Sequence, residues 1–180
     1  MRSPRCRSLA WLLRRGWLCL LGLPLTLAAV AQPLPEHQLK AKVLLQALLF
    51  VDWPAQAAAG PLLLCLVDPP PFAQALRPLA GQPLNGRALE LREWRAGEPL
   101  PASPCRVALV GPQALALLAS PQSGVLVVSD GDGTLRRGAM LNLQLDQGRV
   151  VFDINLATTR AAGLDISARL LRLARFVAQE

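Results

Sequence analysis

Histidine and lysine are nearly absent from this sequence, and their scarcity excludes several kinds of active site. The single histidine, His37, stands in a proline-rich stretch, so the chain has neither a convincing catalytic triad nor a histidine metal cluster. No glycine-rich phosphate loop follows the first predicted strand, because Asp68 is followed there by three prolines. We therefore expect no catalytic residues, no bound metal and no cofactor.

An excess of basic charge is also missing once the amino-terminal segment is set apart. Residues 1–31 have the pattern of a cleavable secretory signal, with five arginines, no acid, an apolar run and a small-x-small site at Ala29 to Ala31. The apolar run is short for a membrane span, although an uncleaved anchor stays open. Without the five arginines of this segment, the rest of the chain has 19 − 5 = 14 basic residues and 12 acidic residues. This balance predicts no nucleic-acid binding.

The remaining chain, residues 32–180, has the length of one domain and can bury a core. It contains no repeat and no second apolar run of membrane length. We therefore predict a 1–31 signal peptide followed by a single exported domain.

Apolar patterns along this domain alternate between helix and strand types. A broad apolar face predicts a helix from Leu39 to Trp53, and a continuous apolar run predicts a doubly buried strand at Leu62 to Val67. An Asp-Gln-Gly turn predicts a hairpin between strands at 139–145 and 149–155. Further predicted elements are helices at 72–79 and 113–118 and strands at 88–94, 105–110 and 124–129. This order predicts an α/β three-layer sandwich, with a mainly parallel sheet and an antiparallel edge hairpin.

The carboxyl-terminal stretch is predicted to be helical. A short helix would run from 156 to 162 and close at Gly163, and Ser167 can cap a final helix. That helix would place apolar side chains on one face and arginines on another. The apolar set is Leu170, Leu171, Ala174 and Val177, and the basic set is Arg169, Arg172 and Arg175.

Short motifs spread over the whole domain carry a family resemblance. Near its start the domain has Phe50-x-x-Trp53-Pro54, and near its end it has Ile154-Asn155-Leu156 and then Ser167-x-x-Leu170-Leu171. Between them, in matching order, stand Pro71-Phe72, Asn85-Gly86-Arg87, Cys105, Val127 to Asp130 and Arg137 to Met140. The domain resembles the YfiR-type (YfiR/HmsC-like) family of periplasmic regulators, with Trp53, Pro54, Asn155 and Ser167 as motif residues.

The resemblance implies a non-enzymatic regulator located in the periplasm. Members of the family are thought to hold a membrane-bound diguanylate cyclase in check, which lowers cyclic-di-GMP signalling and biofilm formation. The implied partner is the periplasmic domain of such a cyclase or of a related sensor, and a homo-oligomer stays open. We predict a partner surface on the last helices, at Arg160, Leu164, Arg169 and Arg172, with a merely solvated face as the alternative.

Two cysteines, Cys65 and Cys105, remain after removal of the signal. Both fall in predicted parallel strands that should be neighbours, close enough for a disulfide bond. An oxidising compartment favours that bond, and two buried free thiols are the alternative. The resemblance adds that the family's cysteine pair is linked to redox sensing. A second, carboxyl-terminal pair of some members is missing, so we expect packing alone to hold the hairpin and the last helix.

One alternative function is a phosphatase. Asp130-Gly-Asp132-Gly-Thr134 after a predicted strand matches a haloacid-dehalogenase signature, in which the first aspartate is the nucleophile and the second is the acid/base. That chemistry also needs a later lysine and a further acidic pair. The only lysines, Lys40 and Lys42, precede the motif, so a glycine–aspartate turn is the favoured interpretation.

A second alternative is a periplasmic module that binds a small ligand. Such a module would use a cleft at the carboxyl ends of the parallel strands, near Asp68 and Asp130. The sequence does not indicate which ligand such a cleft would take.

Overall fold

The computed structural model describes residues 35–54, 60–95, 105–118 and 123–179. The predicted signal at 1–31 lies outside these residues. In the part of the chain that is described, no helix is long and apolar enough to cross a membrane.

The first helix is shorter than the sequence pattern predicts. Helix α1 spans Glu36–Leu48 and buries Leu44 and Ala47. The predicted extension to Trp53 is wrong, because the chain turns after Leu48 and enters a short strand. The helix end and this half-buried strand lie in the same apolar run, so periodicity alone could not separate the two.

Ten strands in the described part of the chain form two sheets. Their bounds are β1 (Val51–Asp52), β2 (Leu62–Val67), β3 (Pro83–Leu84), β4 (Arg87–Trp94), β5 (Val107–Val110), β6 (Leu126–Asp130), β7 (Leu141–Asp146), β8 (Arg149–Asn155), β9 (Asp165–Ile166) and β10 (Phe176–Ala178). Eight lie in one sheet in the order β10-β8-β7-β6-β5-β2-β4-β3, and β1 pairs with β9 in the other. Because β4, β2, β5, β6 and β7 pair in parallel, the predicted α/β class is confirmed.

The centre of the large sheet is covered on both faces. Every residue of β2 and of β5 is buried, as the continuous apolar run at Leu62–Val67 predicts. The helices predicted after β2 and after β5 form as 3₁₀ helices, at Pro71–Leu79 and Ala114–Leu117. Pro78 lies inside the first of them and cannot donate an α-helical backbone hydrogen bond, which favours the tighter form.

The predicted hairpin forms, but it does not lie at the edge of the sheet. Strands β7 and β8 pair antiparallel, with Asp146 opposite Arg149 across the turn. Gln147 and Gly148 have φ values of 46° and 75°, the left-handed conformations that a two-residue hairpin turn of this kind requires. Strand β10 then pairs in parallel with β8 and takes the edge position.

The last predicted helix is the largest departure from the sequence pattern. Helix α2 spans Leu156–Ala161 and α3 only Ala168–Leu171, after which the chain becomes β10. The predicted Ser167 cap is confirmed, since its side chain accepts from the backbone N–H of Leu170 at 3.3 Å. Asn155, which the sequence analysis did not identify as a cap, accepts from the backbone N–H of Thr158 at 3.0 Å. The apolar residues that mimic a helical face therefore divide between one helical turn and a strand.

Candidate functional site

The carboxyl-terminal segment, residues 156–179, joins the two sheets and carries all four predicted partner residues. Strand β9 in this segment pairs with β1, placing Ile166 opposite Val51. The backbone N–H of Ser167 donates to the carbonyl of Phe50 at 3.0 Å. The segment is thus fastened at its middle, and its last strand completes the edge of the large sheet.

The four predicted partner residues do not share one environment. Arg160, Arg169 and Arg172 are exposed, and the Arg169 guanidinium lies 5.3 Å from the centre of the Phe50 ring. Leu164 is only 2% exposed and packs in the hydrophobic core. A partner therefore cannot reach Leu164 without opening the fold, and only the three arginines remain as contact candidates.

Trp53 and Pro54, the early motif residues, are half-buried beside the core. The indole Nε1–H of Trp53 donates to the carbonyl of Arg106 at 3.3 Å. This bond links the end of β1 to the residue before β5, since an indole N–H that is partly buried needs an acceptor. The geometry suits a structural anchor for Trp53.

An ion pair that the sequence analysis missed fixes β10 against the hairpin. The Arg175 Nε donates to Asp153 Oδ1 at 2.9 Å, and a second guanidinium nitrogen contacts the other carboxylate oxygen. Arg175 also contacts Gln144 on β7, whose Nε2 donates to Asp132 at 2.8 Å. The hydrogen bond to Asp153, which is 6% exposed, raises the pKa of Arg175. The expectation that packing alone holds this region is therefore wrong.

A polar cleft lies over the same face of the sheet. Phe176, Asp153 and Asn142 are register partners on β10, β8 and β7, so their side chains share one face. The cleft has a volume of about 740 Å³ and is walled by the turn after β6, including Asp132 and Arg136. Phe176 contributes an aromatic ring that is 57% exposed.

The two aspartates of the phosphatase-like motif face different surroundings. Asp130 accepts two hydrogen bonds of 3.0 Å from Lys40, while Asp132 lies in the cleft and binds Gln144. The hydroxyl of Thr134 is buried and donates to the carbonyl of Gly131 at 3.1 Å. The motif therefore acts as a turn, with its first carboxylate occupied by a lysine.

Lys40 itself is 5% exposed and lies between two carboxylates. It is 2.6 Å from Glu36, one helical turn away, and reaches Asp130 on β6. Burial alone would lower the pKa of Lys40, but the hydrogen bonds to Glu36 and Asp130 outweigh it and raise that pKa. The same contact lowers the pKa of Glu36. This cluster ties α1 to the carboxyl end of β6.

The surroundings of Asp68 and Asp130 only partly resemble the predicted ligand cleft. A hollow of about 440 Å³ borders Asp68 at the ends of β2 and β4. Asp130 is not part of it, because its carboxylate turns toward Lys40. Among the described residues, no group of three or more histidine, cysteine or acidic side chains could hold a metal ion.

The cysteine pair forms a disulfide bond, as predicted. Cys65 lies in β2, Cys105 stands two residues before β5, and the two strands are neighbours in the sheet. Their Cα atoms are 5.8 Å apart, within the ordinary range for a disulfide. Both residues are buried, so the bond lies inside the core.

Comparison with known families agrees with the motifs and the fold. A model of the family described as YfiR/HmsC-like matches residues 37–175. The chain belongs to the YfiR/HmsC-like family. Membership supports a periplasmic regulator of the YfiR type that acts through protein–protein contact, and such proteins are in general not enzymes. None of the curated proteins matches the chain in sequence.

Proposed function

We propose that the domain represses a membrane-bound diguanylate cyclase by binding the cyclase's periplasmic domain, which lowers cyclic-di-GMP and biofilm formation. The observation that carries the proposal is the YfiR/HmsC-like match over residues 37–175. The signal pattern at 1–31 supports export to the compartment in which that contact would take place.

The proposed contact surface is the basic side of the carboxyl-terminal segment. Arg160, Arg169 and Arg172 are exposed there, whereas the acids of the segment amount to Asp165 among the described residues. A surface with this charge steers an acidic partner surface toward it and disfavours basic ones. We therefore expect the cyclase to contribute acidic residues to the interface.

The test co-expresses the full chain with each membrane diguanylate cyclase of the source organism and measures cellular cyclic-di-GMP. One cyclase should lose activity when the chain is present, and a version beginning at residue 32, which stays in the cytoplasm, should have no effect. Replacing Arg160, Arg169 and Arg172 together with alanine should relieve repression at unchanged protein level. Exposed Arg92 and Arg95 on or next to β4 provide the matched control. Unchanged cyclic-di-GMP with every cyclase would refute the proposal.

The polar cleft supports a second candidate, a module that senses a small ligand. Its volume and its mixture of Asp132, Asn142 and Gln144 beside Phe176 fit a compact polar molecule. Native mass spectrometry of protein prepared from the periplasm would reveal a bound molecule, and Gln144→Leu should release it. A ligand-free spectrum, unchanged by periplasmic extract, would argue against this candidate.

A further inference from the structure

Within the described residues, the carboxyl-terminal edge of the large sheet is open. Strand β10 pairs with β8 on one side, and no described residue pairs with its other side. The strand is short and contains neither proline nor lysine. Its own Phe176 is 57% exposed, and Leu173 just before it is 65% exposed. Natural proteins usually protect such an edge, because unpaired strand backbone recruits another strand.

The hydrogen-bonding side of each β10 residue follows from the hairpin. The backbone N–H of Asn155 donates to Met140, so the odd-numbered residues of β8 face β7 and Ile154 faces β10. With Val177 in register with Ile154, the residues that bond to β8 are Phe176 and Ala178. The N–H and C=O of Val177 therefore point outward from the sheet.

The opposite edge shows what a protected strand looks like in this fold. In β3, Leu84 pairs with Arg87 across the two-residue turn, which directs the nitrogen of Pro83 outward. That nitrogen has no hydrogen, so the outward residue of β3 cannot donate to an added strand. Val177 occupies the equivalent outward position on β10 and keeps its N–H.

The surroundings of β10 indicate the charge of the segment that fits. Helix α2 packs against β10 and carries exposed Arg160, while Arg169 and Arg172 precede the strand. A second copy of this chain would bring the same arginines together, which disfavours self-pairing at this edge. An acidic segment would meet complementary charge.

We propose that an extended acidic segment of a partner protein adds to β10 as a further strand of the sheet. Its backbone bonds to Val177, and alternate side chains fall on the cleft side next to Phe176. Main-chain bonds then provide affinity and the cleft provides side-chain selectivity. The inference deepens the proposed function and rests on it only for the identity of the partner, since the edge itself is testable without any cyclase.

The direct test uses a short acetylated and amidated peptide in which glutamate alternates with valine. Amide hydrogen exchange is followed residue by residue by NMR on the oxidised domain. At saturating peptide the Val177 amide should exchange about tenfold more slowly, equivalent to about 1.4 kcal/mol of protection. The amides of Phe176 and Ala178, which already bond to β8, should change little. The matched peptide with lysine in place of glutamate should not bind.

Two variants separate the backbone bond from side-chain packing. Val177→Pro removes the outward N–H and leaves the bonds of Phe176 and Ala178 to β8, so it should abolish peptide binding. Val177→Ala loses similar packing and keeps the N–H, so it should still bind. Equal binding by both variants, or a Val177 amide unaffected by peptide, would overturn the inference. Peptide-independent dimerisation lost in Val177→Pro would overturn it in favour of self-pairing.

The same variants keep the two proposals distinguishable in cells. Peptide binding at Val177 without any cyclase response would support strand addition at β10 and refute the proposed function. Repression retained equally by wild type and Val177→Pro, with no peptide effect, would leave the function standing and refute the edge. Repression lost in Val177→Pro and kept in Val177→Ala is the result that we expect.

Discussion

The two ends of the large sheet are built differently. At one end β3 closes the sheet with Pro83 facing outward, and nearby β2 is bonded covalently to the chain before β5 through Cys65 and Cys105. At the other end β10 has an outward Val177, and an ion pair between Arg175 and Asp153 attaches it to β8. One end is stabilised and closed, and the other is held by reversible contacts and left open. The open end is the one that we propose for the protein contact.

Removal of the disulfide should have the largest effect, and it should act on the closed end. The bond spans 40 residues, for which the chain-entropy model gives about 4 kcal/mol of stabilisation. Cys65→Ala and Cys105→Ala should each lower the melting temperature by several degrees, and the double variant should add little. Reductant should reproduce the loss in wild type and leave the variants unchanged.

The wild type and the same cysteine variants, expressed in cells, test whether the disulfide bond is a redox switch. If the bond serves stability alone, repression should fall only in proportion to folded protein. A loss of repression in reductant at constant folded protein would show instead that the bond is a switch.

Breaking the ion pair should have the next largest effect, and it should act on the open end. Arg175→Met leaves the Asp153 carboxylate, which is 6% exposed, without its cation, at a cost of about 2–3 kcal/mol. Amide exchange should speed up first at Phe176 and Ala178, with β2 unaffected. Exposed Arg172→Met is the control and should change the free energy of unfolding by less than about 0.5 kcal/mol. Equal losses in both variants would mean that the pair does not hold β10.

The Lys40 cluster links α1 to β6, between the two ends of the sheet. Breaking it should lower the free energy of unfolding by a smaller amount. Lys40→Met keeps the length of the side chain and leaves Glu36 and Asp130 without their shared cation, which should cost about 1–2 kcal/mol. Because the pKa of Glu36 is lowered, the contribution of Glu36 to folding stability is present above the unfolded value of 4.5. It is lost as pH falls through the folded value. Because the pKa of Lys40 is raised, the contribution of Lys40 to folding stability is lost only above pH 10.5.

Urea unfolding from pH 3 to pH 8 tests this cluster. The difference in the free energy of unfolding between wild type and Lys40→Met should be constant near neutral pH. It should narrow below about pH 4.5, where Glu36 is protonated in the unfolded chain. A difference that widens in acid would contradict the assigned contacts.

The closed end of the sheet was largely predictable from sequence, and the open end was not. Leu62–Val67 is a continuous apolar run that predicts a buried strand. Near the open end, Asp146-Gln147-Gly148 also predicts its hairpin turn, but the last strand was not predictable. Leu170 to Val177 has helical periodicity, yet only its first turn is helical. The residues after that turn form a strand because they pair with β8 and because Arg175 bonds Asp153. Both contacts join residues far apart in sequence, so local periodicity cannot reveal them.

The candidate surface shows the same limit. The helical pattern places Arg169 and Arg172 on a basic face, and both are exposed, as is Arg160. Leu164 is buried instead, because the pairing of β1 with β9 draws its segment onto the core. The cleft could not be predicted, since Asp132, Asn142 and Phe176 meet only once β10 lies beside β8. The alternation of polar with apolar residues, at Asn142 and Gln144 in β7 and at Asp153 and Asn155 in β8, is the sequence signal for its polar floor.

The smallest expected effect comes from opening the closed edge. Pro83→Thr restores an outward N–H on β3 and increases the freedom of the unfolded chain, so it should destabilise by about 0.5 kcal/mol. We expect the acidic peptide to leave the restored amide at position 83 unprotected, because β3 has two residues and carries no exposed apolar partner like Phe176 beside it. Amide exchange on this variant, with Val177 as internal reference, provides the measurement. Protection of the restored amide equal to that at Val177 would show that the missing N–H of Pro83 alone distinguishes the two edges.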